Sequence, residues 1–337
     1  MRNSRMIENK KTSIILVLRV LQQYSDEEHF LTQKEIIDLI YKDYGIELER
    51  KSVANSLILL GDELDYDICK NPKGGWALFS RTFENSEVAF LIDAIFSSKS
   101  ISGKHAIELA NKALGVLSKY HQKDFSYIVK SSEITRTNNK DLFFIMSIIH
   151  EAMTKSKRVS FCYLEYDRHG NMVPRKNGYR YIVSPYYLIN NFGKYYLLCN
   201  YREKYRPLHT FRIDFLSDIA IEENWPIKPL EKLEGVNNPF SIKDYLNEHV
   251  YLFGGEVITS TIEITNPNAI TAMHDWFGKT ISIKKQNESL IAEVKCNEDS
   301  LFYWCMQYSE SIKVLTPTTL VERIAREALR LVKLYTK

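Results

Sequence analysis

Along the first eighty residues apolar side chains recur every three or four positions, and then every two. Ile14, Leu18 and Leu21, with Ile15 and Val17 beside them, predict an amphipathic helix over residues 12–24. A second helix starts at Leu31-Thr32-Gln33-Lys34-Glu35-Ile36. There the Thr32 hydroxyl can accept from the Glu35 amide, the Glu35 carboxylate can reach back to Thr32, and Leu31 can pack on Ile36. Ile36, Leu39 and Ile40 form its face, and Gly45 offers the left-handed residue that ends it near Tyr44. Val53, Leu57, Leu60 and Leu64 predict a third helix from about Arg50 to Leu64. Tyr66 to Lys70 and Trp76 to Phe79 then flank the turn Asn71-Pro72-Lys73-Gly74-Gly75 and read as a β-hairpin. Three helices followed by a hairpin is the element order of a winged helix-turn-helix.

Helical spacing returns over residues 86–120. Val88, Leu91, Ile92 and Ile95 share one face, a break follows from Ser97 to Gly103, and Ala106, Ala110, Leu114 and Leu117 continue, which predicts a helical connector. The polar stretch Lys130 to Asp141 reads as a linker, and Leu142 to Met153 as a helix. From Arg158 to Ile221 the period is two. Val159, Phe161 and Tyr163, then Tyr181 to Leu188, a turn at Asn190 to Gly193, and Lys194 to Leu198 predict a small β-barrel or twisted sheet. Farther on, Ile258 to Thr265, Thr280 to Ile283 and Ile291 to Val294 alternate, while residues 266–277 and 318–335 are helical in pattern, giving an α+β sandwich. In the last helix Leu320, Ile324, Ala328, Leu331 and Tyr335 form a stripe that reads first as a packing face and second as a subunit contact.

A length of 337 residues exceeds what one core usually organises, so two or three domains are expected. The net charge of +3 is too small to decide for or against nucleic acid, since the clustering of basic groups matters more than their sum. Cys69, Cys162, Cys199, Cys296 and Cys305 are scattered, without a CxxC pair or metal spacing, so neither a disulfide framework nor a zinc site is indicated and a reducing cytoplasm is expected. The apolar run Ile14 to Leu18 is cut by Arg19, too short for a membrane span. A phosphate loop, GxGxxG, GxSxG and a histidine pair at metal spacing are all missing, and His150-Glu151, which could be a hydrolase pair, lies on an amphipathic helix where a core or surface role is the plainer reading. No enzyme activity and no cofactor are therefore expected, although a nuclease site assembled wholly by the fold would leave no such trace.

Two stretches carry candidate chemistry. On the third helix Arg50, Lys51, Ser52 and Asn55 suit a major groove, where Asn reads adenine and Arg or Lys reads guanine or grips phosphate. Thr32 and Gln33 at the start of the second helix, and Lys70 and Lys73 on the hairpin, complete a candidate DNA-contact set. The plainer alternative is a solvated helix face, for which the nearby Glu49, Asp62 and Asp65 speak. The second stretch holds Tyr179, Tyr181, Tyr186, Tyr187, Tyr195, Tyr196, Tyr201 and Tyr205, interleaved with Arg180, Lys194, Arg202, Lys204 and Arg206, with Glu203 as the one acid. Aromatic faces among cations suit a single-stranded nucleic acid or a nucleotide. Tyrosine also favours strands for packing alone.

The segments Tyr181-Ile182-Val183-Ser184-Pro185-Tyr186, Gly193-Lys194-Tyr195-Tyr196-Leu197 and Phe211-Arg212-Ile213-Asp214 resemble the WYL domain, whose naming triplet falls on Tyr195, Tyr196 and Leu197. Glu49 to Val53, Tyr66 to Ile68 and Gly75 to Leu78 resemble the winged helix that precedes this domain in bacterial transcription regulators. Leu301 to Trp304, Ile312 to Leu315 and Thr316-Pro317 resemble the WCX extension that follows it. The resemblance implies an α+β multidomain chain: a winged helix-turn-helix over 1–82, a helical connector over 83–138, an SH3-like or Sm-like WYL barrel over 139–228, and an α/β sandwich WCX domain over 229–337. It implies a homodimer on an inverted-repeat operator, with a WYL domain that senses a negatively charged ligand, in some members single-stranded DNA or another nucleic acid. By position, Arg212 matches the arginine of the family's (F/Y)-R-(I/L)-D-R segment and is the implied ligand anchor, and Ser184 and Tyr196 match pocket-lining strands. Tyr181, Tyr186 or Tyr196 would offer a hydroxyl or a stacking face beside it. Phe215 replaces the second arginine of the segment, and His209 stands where many members carry a basic residue. Ligand binding would move the connector and change the spacing of the two winged helices. An accessory protein that holds single strands without operator specificity is the alternative, and a small-molecule sensor on the same scaffold a third reading.

Overall fold

The capping signal around Thr32 is realised bond for bond. In a computed structural model that describes residues 10–125, 141–201, 207–278 and 281–336, α2 (Gln33–Tyr44) begins with the Glu35 amide donating to the Thr32 hydroxyl and the Thr32 amide donating to the Glu35 carboxylate. It ends at Gly45, whose φ of +68° only glycine adopts without strain. The described residues form mixed α and β structure with three sheets, and the chain divides into two compact units, residues 1–140 and 141–337.

In the first unit α1 (Lys10–Tyr24), α2 and α3 (Arg50–Ile58) bury Val17, Leu21, Ile36, Ile40, Val53 and Leu57 in one core. The expected helix to Leu64 does not stay α-helical. Residues Leu59–Glu63 form a wider turn in which the Leu64 amide donates to the Leu59 carbonyl at 3.2 Å. The extra residue in that turn rotates Leu64 off the stripe it was predicted to share with Leu60, so Leu60 is buried and Leu64 exposed. β1 (Ile68–Lys70) and β2 (Trp76–Leu78) pair antiparallel, and Leu31 pairs with Trp76 through two backbone bonds of 2.8 Å, adding a one-residue third strand. A side chain at Gly75 would put its Cβ 2.8 Å from that of Phe30, which explains the glycine there.

The connector consists of α4 (Asn85–Ser97), α5 (Gly103–Leu114) and α6 (His121–Asp124). A buried carboxylate ties it to the three-helix head. Asp26 accepts from the Ser118 hydroxyl at 2.6 Å and from the amides of Glu28 and His29, and His29 Nδ1 lies 2.6 Å from it. The His29 ring stacks on Tyr120 at 3.5 Å, and Arg81 donates to the carbonyls of Gln22, Ser25 and Leu78. The linker predicted over Lys130 to Asp141 falls, but for Asp141, outside the described residues.

The second unit opens with α7 (Leu142–Thr154), whose Leu142, Ile145, Ile149 and Ala152 face a six-stranded antiparallel sheet. Its strands are β3 (Lys157–Tyr166), β4 (Met172–Pro174), β5 (Arg180–Asn191), β6 (Lys194–Asn200), β7 (His209–Arg212) and β8 (Leu216–Pro226). β4 and β5 follow one another along one edge of β3, β8 takes the other, and β6 and β7 extend the sheet beyond β5. β7 and β8 therefore end the sheet on opposite sides yet are joined by a single 3-10 turn, Ile213–Phe215. So short a connection between opposite edges requires the sheet to curl round on itself.

The remaining chain crosses one face of this sheet with α8 (Ile242–Glu248) and builds a four-stranded antiparallel sheet of order β10-β11-β9-β12. Its strands are β9 (Val257–Ile264), β10 (Ser282–Gln286), β11 (Ser289–Asn297) and β12 (Ile312–Thr316). α9 (Ala269–Phe277), α10 (Glu298–Gln307) and α11 (Thr318–Tyr335) cover it around Met273, Phe277, Leu301, Trp304 and Leu320. The stripe expected on the last helix is packed only in its first half. Leu320 is buried, whereas Ala328, Leu329, Val332 and Tyr335 are exposed because α11 runs on past the sheet. Among the described residues no helix is long and apolar enough to cross a membrane.

Burial alone would raise the Asp26 pKa, but the hydrogen bonds from Ser118, His29 and the Glu28 amide outweigh it and hold it below the usual carboxylate value. A depressed folded-state pKa adds stability that is complete above the unfolded pKa near 4 and is lost as pH falls through the folded value. Asp26→Asn should therefore flatten the acid limb of the first unit's stability. Asp26→Ala should cost about 1–3 kcal/mol at pH 7 in urea denaturation.

Candidate nucleic-acid interface and ligand face

Sequence predicted a contact set on the three-helix head, and the structure brings part of it together. Arg50, Lys51 and Asn55 are exposed on α3. Arg50 Nε donates to Gln33 Oε1 at 2.9 Å, which ties the starts of α2 and α3 into one polar edge. Thr32 is exposed at the same end but its hydroxyl serves the helix cap. Ser52 is half-buried, and its carbonyl accepts the Ser56 hydroxyl. On the hairpin, Lys73 is exposed at the tip and the Lys70 ammonium lies 5.1 Å from the centroid of the Trp76 ring. Among the described residues Arg50, Lys51, Lys70 and Lys73 form no ion pair with a carboxylate. Glu49, Asp62 and Asp65 are exposed as well.

The strand period divides the predicted ligand set between two faces of the six-stranded sheet. Tyr196 and Arg212 are direct cross-strand neighbours, in line with Ile189 on β5. Tyr181 points the other way, into a cluster with Phe161, Phe211 and Tyr163 at centroid distances of 5.3–6.3 Å. His209 lies on that second face, edge-on to Tyr201 at 5.8 Å. Ser184 and Tyr186 are occupied elsewhere. The Ser184 hydroxyl accepts the Lys228 amide at 3.0 Å, and the Tyr186 hydroxyl donates to the Lys228 carbonyl at 2.7 Å, so together they hold the chain after β8. Arg180 donates to the Ser160 hydroxyl and pairs with Asp218. The tyrosine block is thus no single stacking platform; its members Arg202, Lys204, Tyr205 and Arg206 lie outside the described residues.

What surrounds Arg212 was only half legible. Its Nε and Nη2 donate to the two oxygens of Asp214 at 3.0 and 2.6 Å, a fork that uses one edge of the guanidinium. The Arg212 side chain is 25% exposed and that of Asp214 only 2%. Phe215, which stands where a second arginine was expected, places its ring 4.1 Å from the guanidinium carbon, and Tyr163 and Tyr166 pack on the edges of that ring. The substitution replaces a repelling cation by an attracting π-face. Tyr163 was not foreseen: its hydroxyl accepts the Arg212 amide at 3.3 Å, and burial pushes its pKa to about 12. Burial also pushes Tyr196 upward, so both hydroxyls keep their protons at neutral pH. One cation, held rigid between a carboxylate and a ring beside a neutral phenol, can take a single anionic oxygen group through Nη1.

Because Asp214 is buried, removing its partner should cost more than a surface pair does. Arg212→Ala is expected to destabilise the second unit by about 2–4 kcal/mol, and Arg212→Ala with Asp214→Ala by clearly less than the sum of the two single changes. A double-mutant cycle in urea measures this; strict additivity would show that the fork carries no coupling.

A family model described as "WYL domain" matches residues 145–221, the span from α7 into β8 that contains the Arg212–Asp214 fork. No curated protein sequence matches the chain significantly. Among solved structures, the proteasome accessory factor B/C (PafBC) of Arthrobacter aurescens is 14% identical with a TM-score of 0.30, and the alignment covers all of this chain and 50% of that one. The chain therefore spans about half the length of that relative. A CRISPR Cas-related protein is 14% identical with a TM-score of 0.39, covering 96% of this chain and 85% of that one. The helix and curled sheet of residues 145–221 are a WYL domain.

Proposed function

We propose that this protein is a transcription regulator without catalytic activity: residues 1–82 are a winged helix-turn-helix on operator DNA, and the WYL domain is an SH3-like barrel that senses an anionic, nucleic-acid-like ligand. The observation that carries the reading is the set of cations on the three-helix head. Arg50 and Lys51 on α3 and Lys70 and Lys73 on the hairpin form no ion pair with a carboxylate among the described residues; Asn55 is exposed on α3, and Gln33 is hydrogen-bonded to Arg50. A head of this kind uses α3 in the major groove and the hairpin on the phosphates. Supporting the second half of the reading, the WYL match covers the one-cation site at Arg212. Operators repeat with two-fold symmetry, so a chain with one such head gains specificity by pairing into a homodimer. The ligand would act through the connector, which the buried Asp26–Ser118 bond holds to the head.

Site selection from genomic fragments at about 150 mM salt should recover an inverted repeat bound ~10³-fold or more tightly than random duplex. Lys51→Ala with Asn55→Ala should weaken that site by about 100-fold and flatten sequence preference, since base-reading contacts are worth ~1–3 kcal/mol each. Lys73→Ala should weaken all duplexes alike and reduce the salt slope by about one. Light scattering should give twice the chain mass. Uniform enrichment without a consensus, or a monomer on the operator, overturns the reading.

A further inference from the structure

Backbone strain gathers at one joint of the second unit. Phe192 and Leu252 have φ of +49° and +57°, in the left-handed region where a bulky side chain crowds its own backbone, and the remaining non-glycine residues of this kind among the described ones are polar. Phe192 and Gly193, with φ of +73°, form the two-residue turn between β5 and β6, closed by the Asn191–Lys194 pair. Such a turn favours Asn-Gly, because both of its central residues need positive φ. A phenylalanine that is 65% exposed gains neither local preference nor burial there. What holds it is a contact outside its own sheet: its ring and that of Trp276 on α9 have centroids 5.1 Å apart. Trp276 is itself fixed, its indole N–H donating to the Tyr308 hydroxyl at 3.2 Å.

At Leu252 the chain changes cores. Val250 is buried with Ile262, Met273 and Trp304 around the four-stranded sheet, whereas Leu252, two residues on, is buried with Ile189, Leu198 and Tyr245 against the WYL sheet. Both sides of this crossing are tied to the WYL sheet, for Asn191 Nδ2 donates to the Val250 carbonyl at 3.2 Å and the Thr210 hydroxyl to the Leu252 carbonyl at 2.8 Å. Between them the Tyr251 ring packs on Trp276 at 5.0 Å, and its hydroxyl donates to Gln307 Oε1 at 3.3 Å. Trp276 thus receives a ring from the hairpin tip and a ring from the crossing. Thr210 lies two residues before Arg212 on β7, on the same face of the sheet. We propose that the β5–β6 turn and residues 250–253 form a strained latch between the WYL sheet and the four-stranded sheet, in which Trp276 holds both strained segments at once and its release lets Phe192 and Leu252 relax together. Strain of this kind persists only where surrounding contacts over-determine it. The two sheets therefore have a held and a released arrangement, and a shift of β7 at Thr210 biases the balance between them. This inference concerns the joint alone and stands whether or not Arg212 takes an anion.

Amide hydrogen exchange of the full chain, read by mass spectrometry over residues 186–200 and 248–256 with β11 as internal reference, tests the latch. Trp276→Ala should lower the protection of both segments together by about tenfold and leave β11 unchanged. Stored strain adds a signature that ordinary packing lacks, a reversal of sign. Phe192→Asn gives the turn its favoured Asn-Gly but removes the ring. In the otherwise unchanged protein it should lower the protection of residues 186–200 about threefold, because the grip of Trp276 is lost; beside Trp276→Ala it should raise that protection about threefold, because strain is relieved and no grip is left to lose. Thr210→Val, which removes one hydroxyl bond and keeps the volume, should loosen residues 186–200 along with 248–256, and it supplies the same test of joint release if Trp276→Ala does not fold. The proposal is overturned if Phe192→Asn shifts protection in the same direction in both backgrounds, or if Trp276→Ala or Thr210→Val loosens one segment and leaves the other as it was.

Discussion

A carboxylate shut away from water must be met by charge and hydrogen bonds, and in the second unit that requirement falls on Asp214. It sits in the three-residue turn between β7 and β8, the strands that end the sheet on opposite sides. Arg212 answers it with both nitrogens of one edge, and Phe215 closes over the guanidinium from the next turn position. Holding this turn holds the two edges of the sheet together. The curl that results gives the sheet an aromatic face around Phe161, Tyr181 and Phe211, and a second face where Ile189 and Leu198 pack beneath the segment that carries Leu230, Leu233 and Tyr245. The residue with the strongest claim as an anion anchor is also a structural keystone. Its rigidity is what would make a single cation selective, since a pre-organised guanidinium loses little freedom on binding.

The first unit uses the same device at a different place. Asp26 gathers four donors from the loop after α1 and from Ser118 at the end of the connector, and Arg81 caps three carbonyls around it. Such networks are costly when half-satisfied and stiff when complete. The connector is thereby joined to the head by directional bonds, and a displacement of residues 118–120 would be felt at the loop between α1 and α2 rather than absorbed by loose packing.

Local physics made much of this legible from the chain alone. The capping box at Thr32 and Glu35, the left-handed Gly45, the hairpin turn around Gly74 and Gly75 and the helix at Leu142 to Thr154 are each decided within a few residues, and all appear where the pattern puts them. Motif order likewise located the WYL domain. Period alone could not tell that Leu64 would be turned outward by a widened turn, or that α11 would outrun the sheet that covers Leu320. Nor could eight tyrosines in a row of strands announce which face each would take, since a bulge between Pro185 and Tyr187 resets the register that assigns them. The fork of Arg212 on Asp214 and the ring of Phe215 beneath it lie within four residues, but the packing of Tyr163 and Tyr166 against that ring depends on a separate strand, β3, meeting the turn. Sequence determines what each segment prefers within its own turn or strand, and the tertiary structure decides which side chains share a space, because burial and charge pairing are settled only when distant segments pack together.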